Sequence, residues 1–396
     1  MDKIKLANRV QRVKPSPTLA VTARVAELRA AGKDIIGLGA GEPDFDTPDH
    51  IKAAGIKAIQ DGFTRYTAVD GTPGLKQAII AKFKHDNGLD YTAEQVLVSC
   101  GGKQSFYNMV MALLNPGDEV IIPAPYWVSY PDMVRLADGE PVIIHAGVDT
   151  GFKITPAQLE AAITTKTRIF VINSPSNPTG VAYSKAELAA LGAVIKNCPQ
   201  VLIATDDMYE HIIWSEEPFS NILNACPELY EQTIVLNGVS KVYAMTGWRI
   251  GYCGGPAELI KAMKKVQSQS TSNPTSISQV AAQAALEGDQ SCIQPMLEAF
   301  KERHDYVVAA LNAIDGVTCL PADGTFYVFP HLQAVIDRLD GINNDVELAE
   351  FLLDEAGVAL VPGTAFGAPG YVRISFATSM TILEDALTRL AKALTP

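Results

Sequence analysis

The segments TRIFVINSPSNPTG (167–180), VLIATDDMYE (201–210) and TIVLNGVSK (233–241) share one pattern: an apolar, β-branched run leads directly into polar residues. Four similar runs flank them, VLVS (96–99), EVIIP (119–123), PVIIH (141–145) and RIGYC (249–253). Helical patterns separate the runs, which predicts an α/β fold with a three-layer α/β/α large domain around a mostly parallel sheet. In such sheets ligands bind at the carboxyl ends of the strands, where the polar residues of these segments fall.

The regular alternation ends near residue 290, so we expect two domains. The predicted large domain spans 46–290, and a smaller α+β domain combines 291–396 with 1–45, which includes a basic amino-terminal arm. The chain has 396 residues and is 47% hydrophobic, enough to bury two cores.

Composition narrows the classes of partner. The net charge of -12 argues against nucleic acid or an acidic membrane surface, both of which attract basic patches. Neither a signal peptide nor a membrane-spanning apolar run is recognisable, and the six cysteines form no CxxC pair, which favours a reducing cytoplasm. The six histidines show no ligand spacing, so no metal site is expected. Small metabolites are the expected partners.

An unusual lysine lies in NGVSKVYAMTGWRIGY (237–252). Lys241 has no acid within this stretch to pair with, and Arg249 follows it beside a glycine and a tryptophan. A buried, partly neutral amine is a nucleophile for an aldehyde, whereas an arginine suits a permanent anion such as phosphate. The pair predicts an aldehyde cofactor that carries a phosphate.

A second phosphate-binding element is predicted at SCGGKQS (99–105). A strand, two glycines and a helix start follow one another there, so the N–H groups of Gly102 and Lys103 are placed to hold an anion; a plain tight turn is the alternative. The segment lacks the glycine and hydroxyl positions of a P-loop. GLGAGEP (37–43) likewise has the wrong glycine spacing for dinucleotide binding.

Several residues at the predicted strand ends suit a flat heteroaromatic ring. Trp127 offers a stacking face, Asn177 an amide for a phenolate oxygen, and Asp206 a carboxylate opposite a ring nitrogen, with Tyr209 near the ring oxygen. The alternatives are a core tryptophan, a turn asparagine and a helix N-cap. Asp207 competes with Asp206, which is preferred for its spacing to Tyr209.

Arg373 lies in the short apolar strand YVRISFA (371–377). Its neighbours favour a side chain that points into a cleft, where a guanidinium grips a carboxylate at two points. A solvated strand residue is the alternative.

Together these motifs resemble the fold-type-I pyridoxal phosphate aminotransferases, most closely the bacterial aspartate/prephenate aminotransferases of class I. The resemblance spans nearly the whole chain and rests on GLGAGEPDFDTP, GGKQ, PYWVSYP, NSPSNPTG, DDMYEH, SKVYAMTGWRIGY and YVRISFATS.

The resemblance implies a role for each matching residue. The catalytic residues would be Lys241, which forms the Schiff base with pyridoxal 5'-phosphate, together with Asp206 and Tyr209. The cofactor-binding set would comprise these three with Gly101, Gly102, Lys103, Trp127, Asn177, Ser240, Arg249 and, from the second subunit of a homodimer with shared active sites, Tyr66. The substrate-binding set would be Gly39, Trp127, Asn177 and Arg373, with Arg12 and Lys103 as candidates for the distal carboxylate. Gly238 departs from members that have a phosphate-binding serine there.

By the same resemblance, the expected reaction is transfer of the amino group of L-aspartate to 2-oxoglutarate by ping-pong kinetics, giving oxaloacetate and L-glutamate. Prephenate or aromatic oxo acids are further expected substrates. The alternatives are an aminotransferase specific for aromatic amino acids or prephenate, a lyase with the same cofactor, and a regulatory protein without turnover. The last would need a basic DNA-binding segment that this sequence does not supply.

Overall fold

The computed structural model describes residues 4–395; residues 1–3 and 396, which fall in the predicted small domain, lie outside this range. The strands within it are β1 Ile36–Gly37, β2 Val96–Ser99, β3 Glu119–Ala124, β4 Glu140–His145, β5 Thr167–Asn173, β6 Leu202–Asp206, β7 Thr233–Gly238, β8 Gly251–Gly254, β9 Tyr327–Val328, β10 Val358–Ala359, β11 Val361–Pro362 and β12 Val372–Ser375. The α-helices are α1 Asn8–Gln11, α2 Pro17–Ala30, α3 Asp49–Gln60, α4 Pro73–Asn87, α5 Gly102–Leu113, α6 Ser129–Leu136, α7 Pro156–Ala162, α8 Lys185–Ile195, α9 Ile222–Ala225, α10 Ala257–Ser268, α11 Ser276–Glu287, α12 Ile293–Asn312, α13 Gln333–Ile336, α14 Asp345–Glu355 and α15 Met380–Leu394.

All seven predicted runs enter one sheet, in the order β2-β8-β7-β6-β5-β3-β4. Only β8 runs against its neighbours, while β7, β6, β5, β3 and β4 pair in parallel. The mostly parallel sheet is therefore confirmed.

Side chains alternate between the two faces of this sheet and define two cores. In β5, Phe170 and Ile172 pack with residues of α4, α8 and α11, whereas Ile169 and Val171 pack with residues of α5, α6 and α10. Successive side chains of a strand point to opposite faces, so apolar residues at every position require helices on both sides. The three-layer α/β/α architecture is confirmed.

A separate apolar core surrounds the smaller sheets. β11, β12 and β9 form an antiparallel sheet, and β1 pairs in parallel with β10. Ile36 and Leu38, from the amino-terminal part, lie in one core with residues of α12, α14 and α15. The amino-terminal segment thus packs with the carboxyl-terminal part in an α+β unit; the division of the chain into 46–290 and 1–45 with 291–396 stays a prediction.

Within residues 4–395, no helix combines the length and the apolar character needed to cross a membrane.

Candidate active site

A cavity of about 420 Å³ opens at the carboxyl ends of β5, β6 and β7. Parallel strands end at the same edge, which brings side chains from distant parts of the chain together. Ten of the predicted site residues line this cavity: Gly102, Lys103, Trp127, Asn177, Asp206, Tyr209, Ser240, Lys241, Arg249 and Arg373.

Lys241 follows β7 and extends into the cavity. Its Nζ donates to the carbonyl of Gly41 and lies 5.9 Å from the ring centre of Tyr209 and 5.8 Å from that of Phe326. Burial, and then repulsion by Arg373, lowers the pKa of the Lys241 amine to about 8. About a tenth of the amine is therefore neutral at pH 7, far more than for an ordinary lysine, and the neutral amine is the nucleophilic form.

The two adjacent acids after β6 face opposite ways. Asp206 lines the cavity and accepts a hydrogen bond from the hydroxyl of Tyr130. Asp207 points behind the strand ends, where its carboxylate accepts from the Thr205 hydroxyl at 2.6 Å and the Asn221 amide at 2.9 Å. Geometry therefore favours Asp206 as the acid available to a ligand. Burial raises the pKa of both carboxyls, that of Asp207 to about 7 with a further contribution from Glu210.

One corner of the cavity is suited to an anion. α5 begins without a side-chain cap at Gly102, which lines the cavity together with Lys103, so the N–H groups of its first turn are available to an anion there. Arg249 borders the same corner, with Nη1 donating to Thr246 O at 2.9 Å and Nη2 to Cys100 O at 3.3 Å. A Cβ on Gly101 would lie 2.2 Å from Arg249 Nη2, and the φ of Gly101 is +85°, so glycine is required at this position.

Arg373 forms the opposite wall. It is 2% exposed, donates from Nη1 to Asn177 Oδ1 at 2.9 Å and from Nη2 to Gly39 O at 2.7 Å, and stacks over the Tyr327 ring at 4.4 Å. Arg373 is therefore not a solvated strand residue. Within the described chain, its buried Nε has no hydrogen-bond partner, which leaves capacity to bind an anion.

Trp127 lies between these two walls. Its ring lines the cavity, packs edge-on against Tyr130 at 5.1 Å between ring centres, and has Lys103 Nζ 5.0 Å from its own centre. The indole is therefore half-buried, with room for a flat ligand beside it.

Four predicted residues do not line the cavity. Gly39 and Gly101 contact it indirectly through Arg373 and Arg249. Tyr66 is 92% exposed on the surface, and Arg12 pairs with Asp138 beside α6. The roles assigned to these residues stay predictions.

The sequence reasoning missed several residues of the cavity wall. The Tyr327 hydroxyl lies 3.1 Å from that of Tyr209, and Glu42 accepts from the Thr246 hydroxyl at 2.9 Å. Leu19 of α2 lines the mouth although it is 68% exposed. The reasoning also missed Tyr130, which is 1% exposed and does not line the cavity but donates its hydroxyl to Asp206.

Comparison with known proteins agrees with this geometry. Residues 33–390 match the family described as aminotransferase class I and II. The chain is 61% identical to the aspartate/prephenate aminotransferase of Nitrosomonas europaea, over 99% of this chain and 100% of that protein. The aspartate aminotransferase structure from Rhizobium meliloti superposes with a TM-score of 0.95 at 49% identity, covering 99% of each chain. The structure of the Thermus thermophilus aspartate aminotransferase with maleate superposes with a TM-score of 0.93 at 43% identity, covering 98% of this chain and 100% of that chain. The chain therefore belongs to the family of class I and II aminotransferases.

Proposed function

We propose that the protein transfers the amino group of L-aspartate to 2-oxoglutarate, giving oxaloacetate and L-glutamate, and that it uses pyridoxal 5'-phosphate. We further propose that it accepts prephenate or aromatic oxo acids. One observation carries the proposal: a single cavity holds Lys241, whose pKa is lowered to about 8, between the two arginines Arg249 and Arg373. The name of the Nitrosomonas europaea relative supports aspartate and prephenate as substrates.

The residues of the cavity fit this cofactor. The uncapped start of α5 and Arg249 suit its phosphate, with buried Ser240 beside them. Lys241 supplies an amine for the aldehyde, and Asp206 supplies a carboxylate for the ring nitrogen. Asn177 and Tyr209 would bind the ring oxygen, and Trp127 would stack on the ring.

Arg373 would bind the α-carboxylate of the substrate. Its guanidinium is held by Asn177 and Gly39 at 2.9 and 2.7 Å, so its orientation is fixed before a ligand arrives. Preorganised charged donors lose little entropy on binding and favour carboxylate over uncharged groups.

The proton transfers would depend on Lys241. When bound, the cofactor takes up the amino group of one substrate and passes it to the next, which makes the kinetics ping-pong. With a pKa of about 8, Lys241 would remove the proton from the substrate Cα in its neutral form, and the ammonium formed in this way would give that proton up again later in the half-reaction. Asp206 would keep the ring nitrogen protonated.

The distal carboxylate of the substrate is assigned to the cavity mouth. Lys103 lines the cavity, and Arg12 lies outside it, beside Asp138. The Thermus thermophilus aspartate aminotransferase was solved with maleate, a dicarboxylate, which supports a site for two carboxylates.

We also propose a cytoplasmic homodimer with shared active sites. Tyr66 belongs to an exposed apolar group that a second subunit would cover; its other members are Ile56, Ile59 and Phe63. In that assembly Tyr66 would reach the phosphate of the partner's cofactor. The domain division at 46–290 is likewise part of the proposal.

A half-reaction tests the function. L-aspartate is added to the cofactor-loaded protein without an oxo acid, and the visible absorbance and released product are followed. We expect one oxaloacetate per active site and loss of the visible band of the aldehyde form. Release of pyruvate or CO2 would instead show a lyase, and a response to aromatic amino acids alone would replace aspartate as donor.

Substitution of Lys241 tests the proposed base. Lys241→Ala should lower multiple-turnover transamination by at least about 10³-fold, because both the nucleophile and the base are lost. Lys185→Ala, at the exposed start of α8, is the control and should retain the wild-type rate. Near wild-type turnover by Lys241→Ala would contradict the assignment.

A further inference from the structure

Behind the cavity lies a buried carboxylate that the proposed mechanism does not use. Glu210 is 4% exposed and contacts the ammonium of Lys82. It also accepts from the Asn87 amide at 2.7 Å and from the Asn237 amide at 2.6 Å. Burial acts to raise its pKa, but Lys82 and the neighbouring donors outweigh burial and lower the pKa below the ordinary value. Glu210 is therefore an anion at neutral pH.

The chain itself balances this charge. Asp86, Glu210 and His211 place possible metal-ligating atoms within 4.8 Å of one another. Lys82, however, contacts Glu210, and its Nζ lies 3.6 Å from Asp86 Oδ2. Because an ammonium already provides the positive charge, the cluster is a structural network rather than a metal centre.

Asn237 connects this network to the active-site lysine. It lies in β7, is 3% exposed, and uses both ends of its amide. The NH2 group donates to Glu210, and Oδ1 accepts from the backbone N–H of Gly238 at 2.7 Å. Gly238 lies three residues before Lys241, so the network fixes the backbone from which the Lys241 loop begins.

The backbone at Gly238 is closely packed on the side that a Cβ would occupy. A Cβ there would lie 3.1 Å from Gly251 Cα and from Met208 Cε, and 3.2 Å from Ile250 O. This packing restrains the peptide on that side, and the Asn237 side chain restrains it further through the hydrogen bond to the Gly238 N–H. Loss of the Asn237 hydrogen bonds would therefore remove one of the two restraints on Gly238 and leave the close packing in place.

We propose that Asn237, held by the buried Glu210–Lys82 pair, is a positioning residue that sets the orientation of the Ser240–Lys241 loop. The proposal rests on the proposed function, because it assumes that Lys241 carries the reaction. It predicts that breaking the network at Asn237 disturbs Lys241, whereas breaking it at its α4 end mainly costs stability.

Two matched variants separate these effects. Asn237→Leu and Asn87→Leu both keep the branched shape of the side chain. Asn237→Leu removes the hydrogen bonds to Glu210 and to the Gly238 N–H. Asn87→Leu removes the hydrogen bonds to Glu210 and to Lys82. Three quantities are measured on each: the melting temperature, backbone hydrogen exchange over 238–241 in the cofactor-free protein, and the pH dependence of acylation of the Lys241 amine, followed by mass spectrometry.

We expect both variants to melt at lower temperature. Only Asn237→Leu should speed exchange over 238–241, by at least about tenfold, and shift the pH midpoint of acylation. Its kcat for transamination should fall about tenfold to 100-fold below that of Asn87→Leu, with a similar KM, because a small displacement of a reacting group is costly.

The proposal is overturned if Asn237→Leu matches Asn87→Leu in exchange, acylation and kcat. If the wild-type protein does not transaminate aspartate, the exchange and acylation comparisons still decide the positioning role, so the two failures are distinguishable. If either leucine variant does not fold, the smaller pair Asn237→Ser and Asn87→Ser gives the same comparison.

Discussion

Two polar regions meet at the carboxyl ends of β6 and β7, and they differ in how completely the chain satisfies their polar groups. The front region contains Asp206 and Lys241, which line the cavity. The back region contains Asp207 and Glu210, whose carboxylates accept hydrogen bonds from residues of α4, β7 and the start of α9. Adjacent residues of identical chemistry, Asp206 and Asp207, thus belong to different regions. Groups that face a cavity are available for chemistry, whereas fully paired buried groups fix geometry.

Exchange of the two acids for amides is the most direct test of this difference. Asp206→Asn should lower kcat about 10³-fold, because an amide cannot hold the ring nitrogen protonated. Asp207→Asn should leave kcat within about threefold, since within residues 4–395 its carboxylate accepts hydrogen bonds from Thr205 and Asn221, neither of which lines the cavity. Steady-state kinetics of the cofactor-loaded variants measure both. Equal losses would show that the front and the back of the strand ends are not separable.

A substitution of Arg373 tests whether the front region also binds the α-carboxylate of the substrate. Arg373→Lys keeps the positive charge but loses the two-point geometry, so kcat/KM for aspartate should fall about 10²-fold. Most of the loss should appear in KM, because the residue binds the α-carboxylate. The ratio of the kinetic constants for aspartate and for a primary amine without a carboxylate checks this, since the amine has no group for Arg373 to bind and should respond little.

The back region should make the stability of the protein depend on pH, because it contains Asp207. Burial raises the pKa of the Asp207 carboxyl to about 7 in the folded chain, against an ordinary value of 3.8. A raised carboxyl pKa means that the folded state holds a proton that the unfolded state has lost between these values. The stabilisation is therefore complete below about pH 4 and is lost as pH rises toward about 7.

Asp207→Asn should remove this part of the pH dependence. The difference in unfolding free energy between wild type and Asp207→Asn should change by about 4 kcal/mol between pH 4 and pH 8, with the wild type losing stability relative to the variant as pH rises. Denaturant unfolding at several pH values measures it. A constant difference would mean that Asp207 ionises normally within its cluster.

The sequence predicted the front region far better than the back. The strand ends could be read from apolar runs that lead into polar residues, and both Asp206 and Lys241 directly follow such runs or their turns. Glu210 and Lys82 are 128 positions apart, so nothing in their local sequence indicates that they meet. Tyr327 was hidden in an apolar strand, where periodicity cannot tell a hydroxyl that faces a cavity from a core aromatic.

Domain-level contacts set a further limit on what the sequence predicts. The pairing of β1 with β10 brings Ile36 beside Val358, across most of the chain. No local pattern indicates that these two segments pair, because register between distant strands depends on the whole fold.

Substitution of Arg12, near the mouth of the cavity, should have the smallest kinetic effect. It tests how far the front region extends. Arg12 pairs with Asp138 and is exposed, so its hydrogen bond to a distal carboxylate would compete with water and with that acid. Arg12→Ala should raise KM for 2-oxoglutarate by about twofold to fivefold and leave kcat unchanged. Asp138→Ala, which frees Arg12 from its partner, should lower the same KM or leave it unaltered. If Arg12→Ala instead lowered kcat as strongly as Asp206→Asn, the arm would have to enter the cavity during the reaction, and the front region would extend to α1.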